Sequence, residues 1–387
     1  MRTLTPLLLL AIIAIVIPTS SLADDIQKQI LWKSQTDGYH TYRIPSLITA
    51  ADGTLLAFCE GRRGGQGDAG AIDLLMKSSS DNGQTWSPQL VIWKDADNTC
   101  GNPCLVLDRS TGRLHLLMTF NLGTDTESKI IARTAESSRT VWQSFSDDHG
   151  KTWSKPVDIT SQTKRPVWTW YATGPGIGIQ IEHGPHKGRL VIPCDHAYDV
   201  PKDVKKTGWE FGSHVIYSDD HGETWQISEP LAPGMNECQV VEISNDSSLI
   251  LDMRSYRGKG CRAQSISKDG GQTWSEIKDA DALVSPVCQA SILRANWPTT
   301  AKPGLIVFAS PRHESNRVNL TLVVSASDCQ SWRGKISLYK GPSAYSSVAI
   351  LANSNLACLA EVGEKNPYET ITLFTVLDGK RCLYSAE

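Results

Sequence analysis

The alternation of apolar and polar positions along this chain predicts short strands joined by tight turns. Apolar stretches rich in β-branched and aromatic residues occur at 71–76, 140–145 and 213–217, and a polar segment follows each of them. Helical periodicity is almost absent, whereas turn sequences such as Asp52-Gly53 recur. The pattern therefore predicts an all-β chain built from strand–turn–strand units.

A repeated eight-residue segment follows these strands and predicts how the units are organised. It has the form Ser-x-Asp-x-Gly-x-Thr-Trp and occurs four times, at 79–86, 146–153, 218–225 and 267–274. A fifth copy at 325–332 keeps the first Ser and the Trp but lacks the aligned Asp, Gly and Thr, and we expect this loss to threaten the geometry of that one turn. Successive copies start 67, 72, 49 and 58 residues apart, which is typical of one supersecondary unit per repeat.

The polar groups of the repeat suit a structural turn. Asp and Ser side chains bond nearby backbone amides, Gly supplies a positive φ that other residues resist, and Trp packs back between strands. Because these polar side chains form hydrogen bonds within the turn, we expect them to have a structural role. The repeats resemble the Asp boxes of sialidase-like β-propellers. That resemblance implies a six-bladed β-propeller with Asp-box hairpin turns, in which about 360 residues supply ~60 for each four-stranded blade.

The N-terminus and the charge bear on where the protein acts. Arg2, an apolar run at 7–18 and a small-residue exit predict a secretory signal peptide over 1–23 and one propeller domain over 24–387. The protein would then be secreted or periplasmic, with cleavage after Ala23. No other stretch approaches the roughly 20 apolar residues of a membrane span. The net charge of −3, without blocks of like charge, disfavours a nucleic-acid partner.

Ten cysteines in an exported chain make disulfides possible, but their connectivity stays open. Cys100 with Cys104 and Cys238 with Cys261 are conceivable pairs, and free buried thiols are equally compatible with a core of this size. The nine histidines show no metal-binding spacing, so we expect neither a metal nor an organic cofactor. We also expect the chain to act as a monomer.

Three arginines border apolar runs in the order found in sialidases. Arg43 lies in an Arg-Ile-Pro motif near the N-terminus, Arg254 ends one apolar run, and Arg317 opens another. The resemblance implies that they bind the carboxylate of sialic acid, because a guanidinium group binds a carboxylate through two parallel hydrogen bonds. It also implies that Glu361 orients the first arginine and that Arg62 is an accessory arginine that contacts the sugar.

The resemblance implies a tyrosine nucleophile, and elementary electrostatics explains that choice. A carboxylate nucleophile about 4 Å from the carboxylate of the substrate would feel a repulsion on the order of 4 kcal/mol at an effective dielectric of 20, whereas a phenol is neutral. Tyr345 matches the nucleophile, and Glu237, seventeen residues before Arg254, matches the base that removes its proton. Tyr339 is the closest rival, but its alternating strand context favours core packing.

General acid/base catalysis needs a carboxyl group near the leaving oxygen. Asp68 lies in a Gly-rich loop before the first repeat and matches the mobile acid/base loop of sialidases. Asp73 is its rival and a further candidate for the substrate-binding set, although its place inside a strand favours pairing with a neighbouring arginine. Arg63 could take the place of Arg62 in the alignment.

Together these residues imply an exo-α-sialidase that hydrolyses terminal α-linked sialic acids of glycoproteins, glycolipids and oligosaccharides. The resemblance implies retention of configuration through a tyrosyl-enzyme intermediate, with sialylated glycans as the partners. The aromatic segment 168–171 is a candidate for the rim of the site, although propeller blades also use such residues for packing.

Two alternatives stay open. A trans-sialidase would use the same residues and pass the sugar to another glycan, and ordered aromatic residues at an acceptor site would favour it. A non-catalytic propeller that only binds glycans would be favoured by the loss of Tyr345, Glu237 or one arginine, and none of these is lost.

Overall fold

A computed structural model describes residues 26–377, and almost every regular element in that part of the chain is a strand. The predicted signal peptide at 1–23 lies outside the described residues. Between 26 and 377, α-helix is confined to two short elements, α1 (Glu127–Ile131) and α2 (Thr160–Thr163). The prediction of an all-β chain is confirmed.

The strands are short, and nearly all pair antiparallel, as expected for a chain of hairpins. Those that begin before residue 200 are β1 (Ile26–Lys33), β2 (Thr41–Thr49), β3 (Leu55–Arg62), β4 (Ile72–Ser79), β5 (Leu90–Trp93), β6 (Thr99–Leu107), β7 (Leu114–Asn121), β8 (Thr140–Ser146), β9 (Val157–Asp158), β10 (Trp168–Thr173), β11 (Gly176–Ile177), β12 (Ile179–Gln180) and β13 (Leu190–Asp199). Those that follow are β14 (Trp209–Ser218), β15 (Gln226–Ile227), β16 (Met235–Glu242), β17 (Leu249–Ser255), β18 (Cys261–Ser267), β19 (Lys278–Val284), β20 (Ser291–Asn296), β21 (Leu305–Pro311), β22 (Val318–Ser325), β23 (Arg333–Ile350), β24 (Leu356–Val362) and β25 (Thr370–Val376).

Hydrogen bonds join these strands into four sheets of seven, five, nine and four strands, within which we define six groups of four antiparallel partners. The nine-stranded sheet holds two of these groups, joined by the parallel pairing of Ile72 with Thr99, and β11 and β12 lie outside the groups. In chain order the first to sixth groups are β2–β5, β6–β9, β10 with β13–β15, β16–β19, β20–β23, and β23 with β24, β25 and β1. β23 belongs to two groups because its first half pairs with β22 and its second half with β24. β1 pairs with β25 from Ile26↔Val376 to Lys33↔Thr370, so the first described strand completes the last group.

Apolar side chains fill the space between neighbouring groups. One core cluster joins Leu322 of the fifth group to Phe374 of the sixth, and another joins Leu117 of the second group to Ile192 of the third. β3 is buried along its whole length. Burial on both faces explains why such strands are almost continuously apolar instead of strictly alternating.

The first strands of several groups meet around Pro175 and Gly176. Ser46 Oγ on β2 donates a hydrogen bond to Gly176 O at 2.7 Å. Gln239 on β16 and Gln289, just before β20, each donate Nε2 to Pro175 O at 3.1 Å. These bonds bring strands that are far apart in sequence to one place, and the candidate site lies beside it.

The four complete repeats form the turns that their chemistry predicts. In the copy at 79–86, Ser79 Oγ accepts a hydrogen bond from Gly83 N at 2.8 Å, and Asp81 Oδ1 accepts one from Thr85 N at 2.9 Å. Gly83 has a φ of +84°, in the left-handed region that glycine enters without strain. The same bonds recur in the other three copies.

The fifth repeat keeps this turn although it lacks the aligned Asp, Gly and Thr. Cys329 stands in the Gly position with a φ of +67°, and its N–H donates to Ser325 Oγ at 2.9 Å. Ser327 replaces the Asp, and its Oγ accepts a hydrogen bond from Ser331 N at 2.9 Å. The expectation that these losses would threaten the turn is therefore wrong, because a hydroxyl oxygen accepts the corresponding backbone bond.

The cysteines of the described chain are free thiols, and nearly all of them are buried. Neither Cys100 with Cys104 nor Cys238 with Cys261 forms a disulfide. Of the two possibilities left open by the sequence, residues 26–377 show the buried free thiols. Over the same range, no helix has both the length and the apolar character needed to cross a membrane.

Candidate active site

A pocket of about 240 Å³ opens where the inner strands of the groups converge. Every group contributes to its wall, and most of the contributed side chains are charged or polar. The lining residues are Arg43, Ile44, Glu60, Arg62, Asp68, Asn102, Glu127, Arg139, Trp170, Ala172, Asp195, Asn236, Glu237, Arg254, Tyr256, Arg317, Tyr345 and Tyr368.

β-bulges occur where several inner strands reach this pocket. The pairing register shifts between Arg43 and Ser46 on β2, Gly101 and Cys104 on β6, Met235 and Cys238 on β16, and Ser343 and Ser346 on β23. A bulge bends its strand and redirects the side chains at that point. Arg43, Glu237 and Tyr345 lie at or within these bulges, so irregular pairing gives them their direction.

The three arginines that are far apart in sequence all line the pocket. Arg43 Cζ lies 5.0 Å and Arg317 Cζ 5.6 Å from the centre of the Tyr345 ring. Tyr368 connects two of them, because Arg43 stacks over its ring at 4.2 Å and Arg317 Nη1 donates to its hydroxyl at 2.9 Å. With Arg254 they concentrate positive charge that suits an anionic ligand.

Glu361 is buried beside Arg43 and fixes the backbone around it. Its Oε1 accepts hydrogen bonds from Arg43 Nε at 2.7 Å and from Ile44 N at 2.8 Å, and its Oε2 accepts one from Tyr345 N at 3.2 Å. Ile44 has a φ of +61°, which is costly for a β-branched residue. The carboxylate therefore holds a strained bulge in place while it orients the first arginine.

Tyr345 and Glu237 form a hydrogen-bonded pair in this pocket. Tyr345 Oη donates to Glu237 Oε1 at 2.5 Å, and Arg254 Nη1 donates to Glu237 Oε2 at 2.7 Å and to Tyr345 Oη at 3.2 Å. Burial raises the pKa of Tyr345 well above 10 and the charge of Glu237 raises it further, against the opposing effect of the arginines. The phenol is therefore protonated, and a carboxylate is in contact with it to accept its proton.

Asp68 lies on the open loop between β3 and β4, with its side chain 58% exposed. Its Oδ1 is 2.7 Å from Arg62 Nη1 and 3.9 Å from Arg43 Nη1. Partial burial raises the pKa of Asp68, but the charges of Arg62 and Arg43 outweigh burial, so the pKa is lowered overall. Asp68 is therefore ionised at neutral pH unless another anion offsets these arginines.

Asp73 does not line the pocket, and its inclusion among the substrate-binding candidates needs correction. It is buried on β4, where it accepts hydrogen bonds from Arg63 Nη2 at 2.5 Å and from Tyr39 Oη at 2.7 Å. The pairing with a neighbouring arginine, which the sequence also suggested, is the arrangement present. Between the two adjacent arginines, Arg62 lines the pocket and Arg63 holds Asp73.

Several residues of the pocket could not be recognised from the sequence. These are Glu60, Asn102, Glu127, Arg139, Asp195, Asn236, Tyr256 and Tyr368. One signal was available, because Asn102, like Ile44, precedes a proline inside an apolar strand, and such a proline indicates a bulge. No comparable motif marks Arg139 or Asp195.

The aromatic residues considered at the sequence level divide between pocket and core. Trp170 lines the pocket, whereas Trp168 and Tyr171 belong to a buried apolar cluster. Tyr339, the rival of the nucleophile candidate, packs against another apolar cluster and donates its hydroxyl to Gly363 O at 2.9 Å. The core packing expected of Tyr339 is therefore confirmed.

Two carboxyl groups of the pocket have raised pKa values. Burial, followed by the charge of Asp68, raises the pKa of Glu127 to about 7. Burial, followed by the charges of Glu237 and Glu127, raises the pKa of Asp195 well above its ordinary range. Burial and the neighbouring negative charges therefore favour the protonated form of both carboxyl groups. Across residues 26–377, no group of three or more His, Cys, Asp or Glu side chains is arranged to hold a metal ion.

Comparison with known proteins gives consistent similarities. Residues 52–358 match the model of the BNR repeat-like domain. The chain is 29% identical over 355 residues to a sialidase of Micromonospora viridifaciens, an alignment that covers 87% of this chain and 52% of that protein. It is also 29% identical over 393 residues to Sialidase-3 of Mus musculus, covering 88% of this chain and 92% of that protein. The chain thus spans about half of the bacterial relative and nearly all of the murine one.

Among solved structures, the Hadza microbial sialidase Hz136 is similar to this chain with a TM-score of 0.75 and 29% identity. The superposition covers 87% of this chain and 66% of that one.

Proposed function

The chain belongs to the BNR-repeat sialidase family, and we propose that it is a glycoside hydrolase that removes terminal α-linked sialic acids from glycans. The observation that carries this proposal is the contact between Tyr345 Oη and Glu237 Oε1 in a pocket lined by three arginines. Sialic acid carries a carboxylate on its anomeric carbon. A ligand whose carboxylate lies on Arg43, Arg254 and Arg317 therefore places that carbon beside Tyr345.

In the first step the sugar is transferred to Tyr345. Its Oη attacks the anomeric carbon while the bond to the leaving oxygen breaks, and the phenol proton passes to Glu237. Asp68 gives a proton to the leaving oxygen, so the aglycone departs as a neutral alcohol. Arg254, which contacts both Glu237 and Tyr345, stabilises the negative charge that develops on the phenol oxygen.

In the second step water releases the sugar. The Asp68 carboxylate takes a proton from the water, whose oxygen attacks the anomeric carbon as the bond to Tyr345 breaks. Glu237 returns its proton to the departing phenolate. Two displacements at one carbon retain the configuration of the glycoside.

The charge of the substrate prepares Asp68 for its role as an acid. Arg62 and Arg43 keep this carboxyl ionised, whereas protonating a leaving group requires the neutral form. The substrate carboxylate adds a negative charge beside Arg43 and so raises the pKa of Asp68. Substrate binding thus favours the protonated form of Asp68, which can then give its proton to the leaving oxygen.

The proposal extends to the architecture and setting of the chain. Each four-stranded group corresponds to one blade of a six-bladed propeller, which β1 closes by pairing with β25. Support comes from the convergence of β2, β16 and the segment before β20 on Pro175 and Gly176. Cleavage after Ala23, action as a monomer outside the cytoplasm, and sialylated glycans as partners belong to the same proposal.

Release of 4-methylumbelliferone from its α-sialoside by the purified full chain tests this function. We expect turnover by the parent and a loss of at least about 100-fold in Tyr345→Phe. Asp68→Ala should lose more activity toward sialyllactose than toward the methylumbelliferyl glycoside, because the better leaving group needs less protonation. Tyr339→Phe is the matched control, since it removes a hydroxyl outside the pocket.

The products separate the alternatives. The α-anomer as first product supports retention, and the β-anomer would contradict it. Conversion of added lactose into sialyllactose in place of hydrolysis would show a trans-sialidase. A folded parent that binds sialyllactose without turnover would support a glycan-binding protein and overturn the hydrolase proposal.

A further inference from the structure

One wall of the pocket is not used by the mechanism. It comes from the second and third groups, across the proposed ring of blades from Tyr345 and Arg317. We call it the far wall and define it by residues that line the pocket there: Asn102, Glu127, Arg139, Trp170, Ala172 and Asp195. With the sugar carboxylate on the arginines, the ring carbons distal to the anomeric centre, including C5, face this wall.

Arg139 brings an unsatisfied donor to the far wall. The residue is 2% exposed and stacks over the Trp170 ring at 4.1 Å. Its Nη1 donates to Asn121 and its Nη2 to Thr119 and Asn102, but its buried Nε has no hydrogen-bond partner. Within residues 26–377 no carboxylate forms a salt bridge with this guanidinium, unlike those of Arg43, Arg62 and Arg254. A buried donor without a partner is costly, so an oxygen placed beside Nε would gain a hydrogen bond.

Asp195 brings a second unsatisfied atom to the same wall. It is 1% exposed, and its Oδ2 accepts a hydrogen bond from Asn236 Nδ2 at 2.9 Å. Its buried Oδ1 has no partner. Since Oδ2 accepts the bond from Asn236, Oδ1 is the oxygen left to form a hydrogen bond with a hydroxyl group.

The far wall offers little apolar surface to a methyl group. Its apolar members, Trp170 and Ala172, are 7% and 4% exposed, and the Arg139 guanidinium already stacks on the Trp170 ring. The whole pocket measures about 240 Å³, which is below the roughly 300–1,000 Å³ common for ligand sites. An N-acetyl group has three more heavy atoms than a hydroxyl group at the same carbon, and its methyl group finds no apolar partner here.

We propose that the far wall selects a sialic acid with a hydroxyl group at C5, the deaminated form, over the N-acylated forms. The C5 oxygen accepts a hydrogen bond from Arg139 Nε and shares one with Asp195 Oδ1. An N-acyl form would have to displace or compress these polar groups. Sites that hydrogen-bond a substrate hydroxyl discriminate strongly against analogues that lack it.

This inference rests on the proposed sialidase activity, and the experiment separates the two. The full chain is assayed with methylumbelliferyl α-glycosides of the deaminated, N-acetyl and N-glycolyl acids. We expect kcat/KM for the deaminated glycoside to exceed both others by at least about tenfold. Equal or higher values for an N-acyl glycoside would overturn the inference and leave the sialidase function standing. Silence on all three would overturn both.

Variants test whether the far wall causes the preference. Arg139→Met and Asp195→Asn should each lower the ratio of deaminated to N-acetyl kcat/KM by at least about fivefold. Arg165→Met is the matched control, because Arg165 also stacks on a tryptophan, Trp168 at 5.3 Å, but does not line the pocket. An unchanged ratio in both test variants would overturn the assignment. Arg139 is deeply buried, so replacing it can prevent folding. If Arg139→Met fails to fold, the kcat/KM ratio of the parent and the ratio in the milder variant Asp195→Asn still test the assignment.

Discussion

Glu361 connects the orientation of Arg43, a proposed substrate-binding residue, to the shape of the backbone. One carboxylate accepts hydrogen bonds from Arg43, Ile44 and Tyr345, so it orients a guanidinium group and fixes two bulged strands. The two strands that it joins, β2 and β23, lie near opposite ends of the sequence. A change at this residue should therefore affect substrate binding as well as folding.

We predict that Glu361→Gln raises KM by at least about tenfold and lowers kcat less. An amide of the same shape cannot accept all three hydrogen bonds, and it removes the charge that holds Arg43. Glu369→Gln is the matched control, because Glu369 accepts backbone hydrogen bonds from Glu364 and Lys365 in a loop outside the pocket. Steady-state kinetics with a fluorogenic sialoside would measure KM and kcat of the variant and of the control. An equal rise in KM in the control would contradict this account.

Residues within motifs were predictable, and residues placed only by packing were not. Arg43, Tyr345 and Glu237 stand in an ordered pattern that the sequence displays, and the structure brings them together. Arg139 and Asp195 belong to no motif, and they reach the pocket through hydrogen bonds to distant partners. Such long-range contacts leave no local pattern.

At the scale of elements, the hairpin turns were predictable because their chemistry is local. Each repeat contains its own donors and acceptors, so eight residues suffice to specify the turn. Most bulges were not predictable, because a one-residue shift in register moves a side chain to the opposite face without changing the sequence pattern. The exceptions are the bulges that a proline indicates. Asp73 was misassigned for a related reason. The sequence shows that Asp73 lies in a strand, but it does not show which side chains Asp73 contacts in the core.

We predict that Asp148→Ala lowers the free energy of unfolding by about 1–2 kcal/mol, and that Ser327→Ala lowers it less. Asp148 accepts hydrogen bonds from Thr152 N at 2.8 Å and from the Thr152 hydroxyl, and a charged acceptor gives stronger bonds. Ser327 fills the same position in the fifth repeat with a neutral hydroxyl that accepts from Ser331 N. Urea unfolding of both variants gives the comparison. A larger loss in Ser327→Ala would contradict the equivalence of the turns.

At the scale of the whole molecule, three buried histidines make the fold sensitive to acid. Burial lowers the pKa of His115 to about 4 and of His196 to about 3, and lowers that of His214 well below 6.5. The unfolded chain binds these protons below about pH 6.5, whereas the folded chain resists them. Their contribution to stability is therefore present above pH 6.5 and is lost as the pH falls toward the folded-state values.

We predict that each of the three histidines destabilises the fold between pH 7 and pH 5 by up to about 1.4 kcal/mol per pH unit, against the opposite effect of Glu127 and Asp195, whose raised pKa values favour the folded state as the pH falls. His115→Gln should therefore raise the thermal midpoint at pH 5 relative to that at pH 7, because it removes one of the three histidines. His313→Gln is the control, since His313 is only partly buried and lies on a loop. Calorimetry at both pH values measures the midpoints, and an identical difference between pH 7 and pH 5 in His115→Gln and in the parent would contradict the prediction.

The pairing of β1 with β25 completes the last group and so affects the stability of the whole molecule. Trp32 on β1 is 1% exposed and packs in the core between the first and sixth groups, whereas Ile30 on the same strand is 58% exposed. We predict that Trp32→Ala costs about 3–5 kcal/mol and Ile30→Ala less than about 0.5 kcal/mol. Equal unfolding midpoints for the two variants in urea would show that β1 contributes little to closure.

The bond between Arg43 and Glu361 joins residues 318 positions apart, and this has a consequence for protein synthesis. A ribosome that adds roughly 5–20 residues per second needs on the order of 15–60 seconds to travel from one to the other. During that interval Arg43 has no Glu361, and β1 has no β25 with which to pair. Products that terminate before residue 361 therefore lack the bond that orients Arg43, and we expect them to be inactive toward a sialoside.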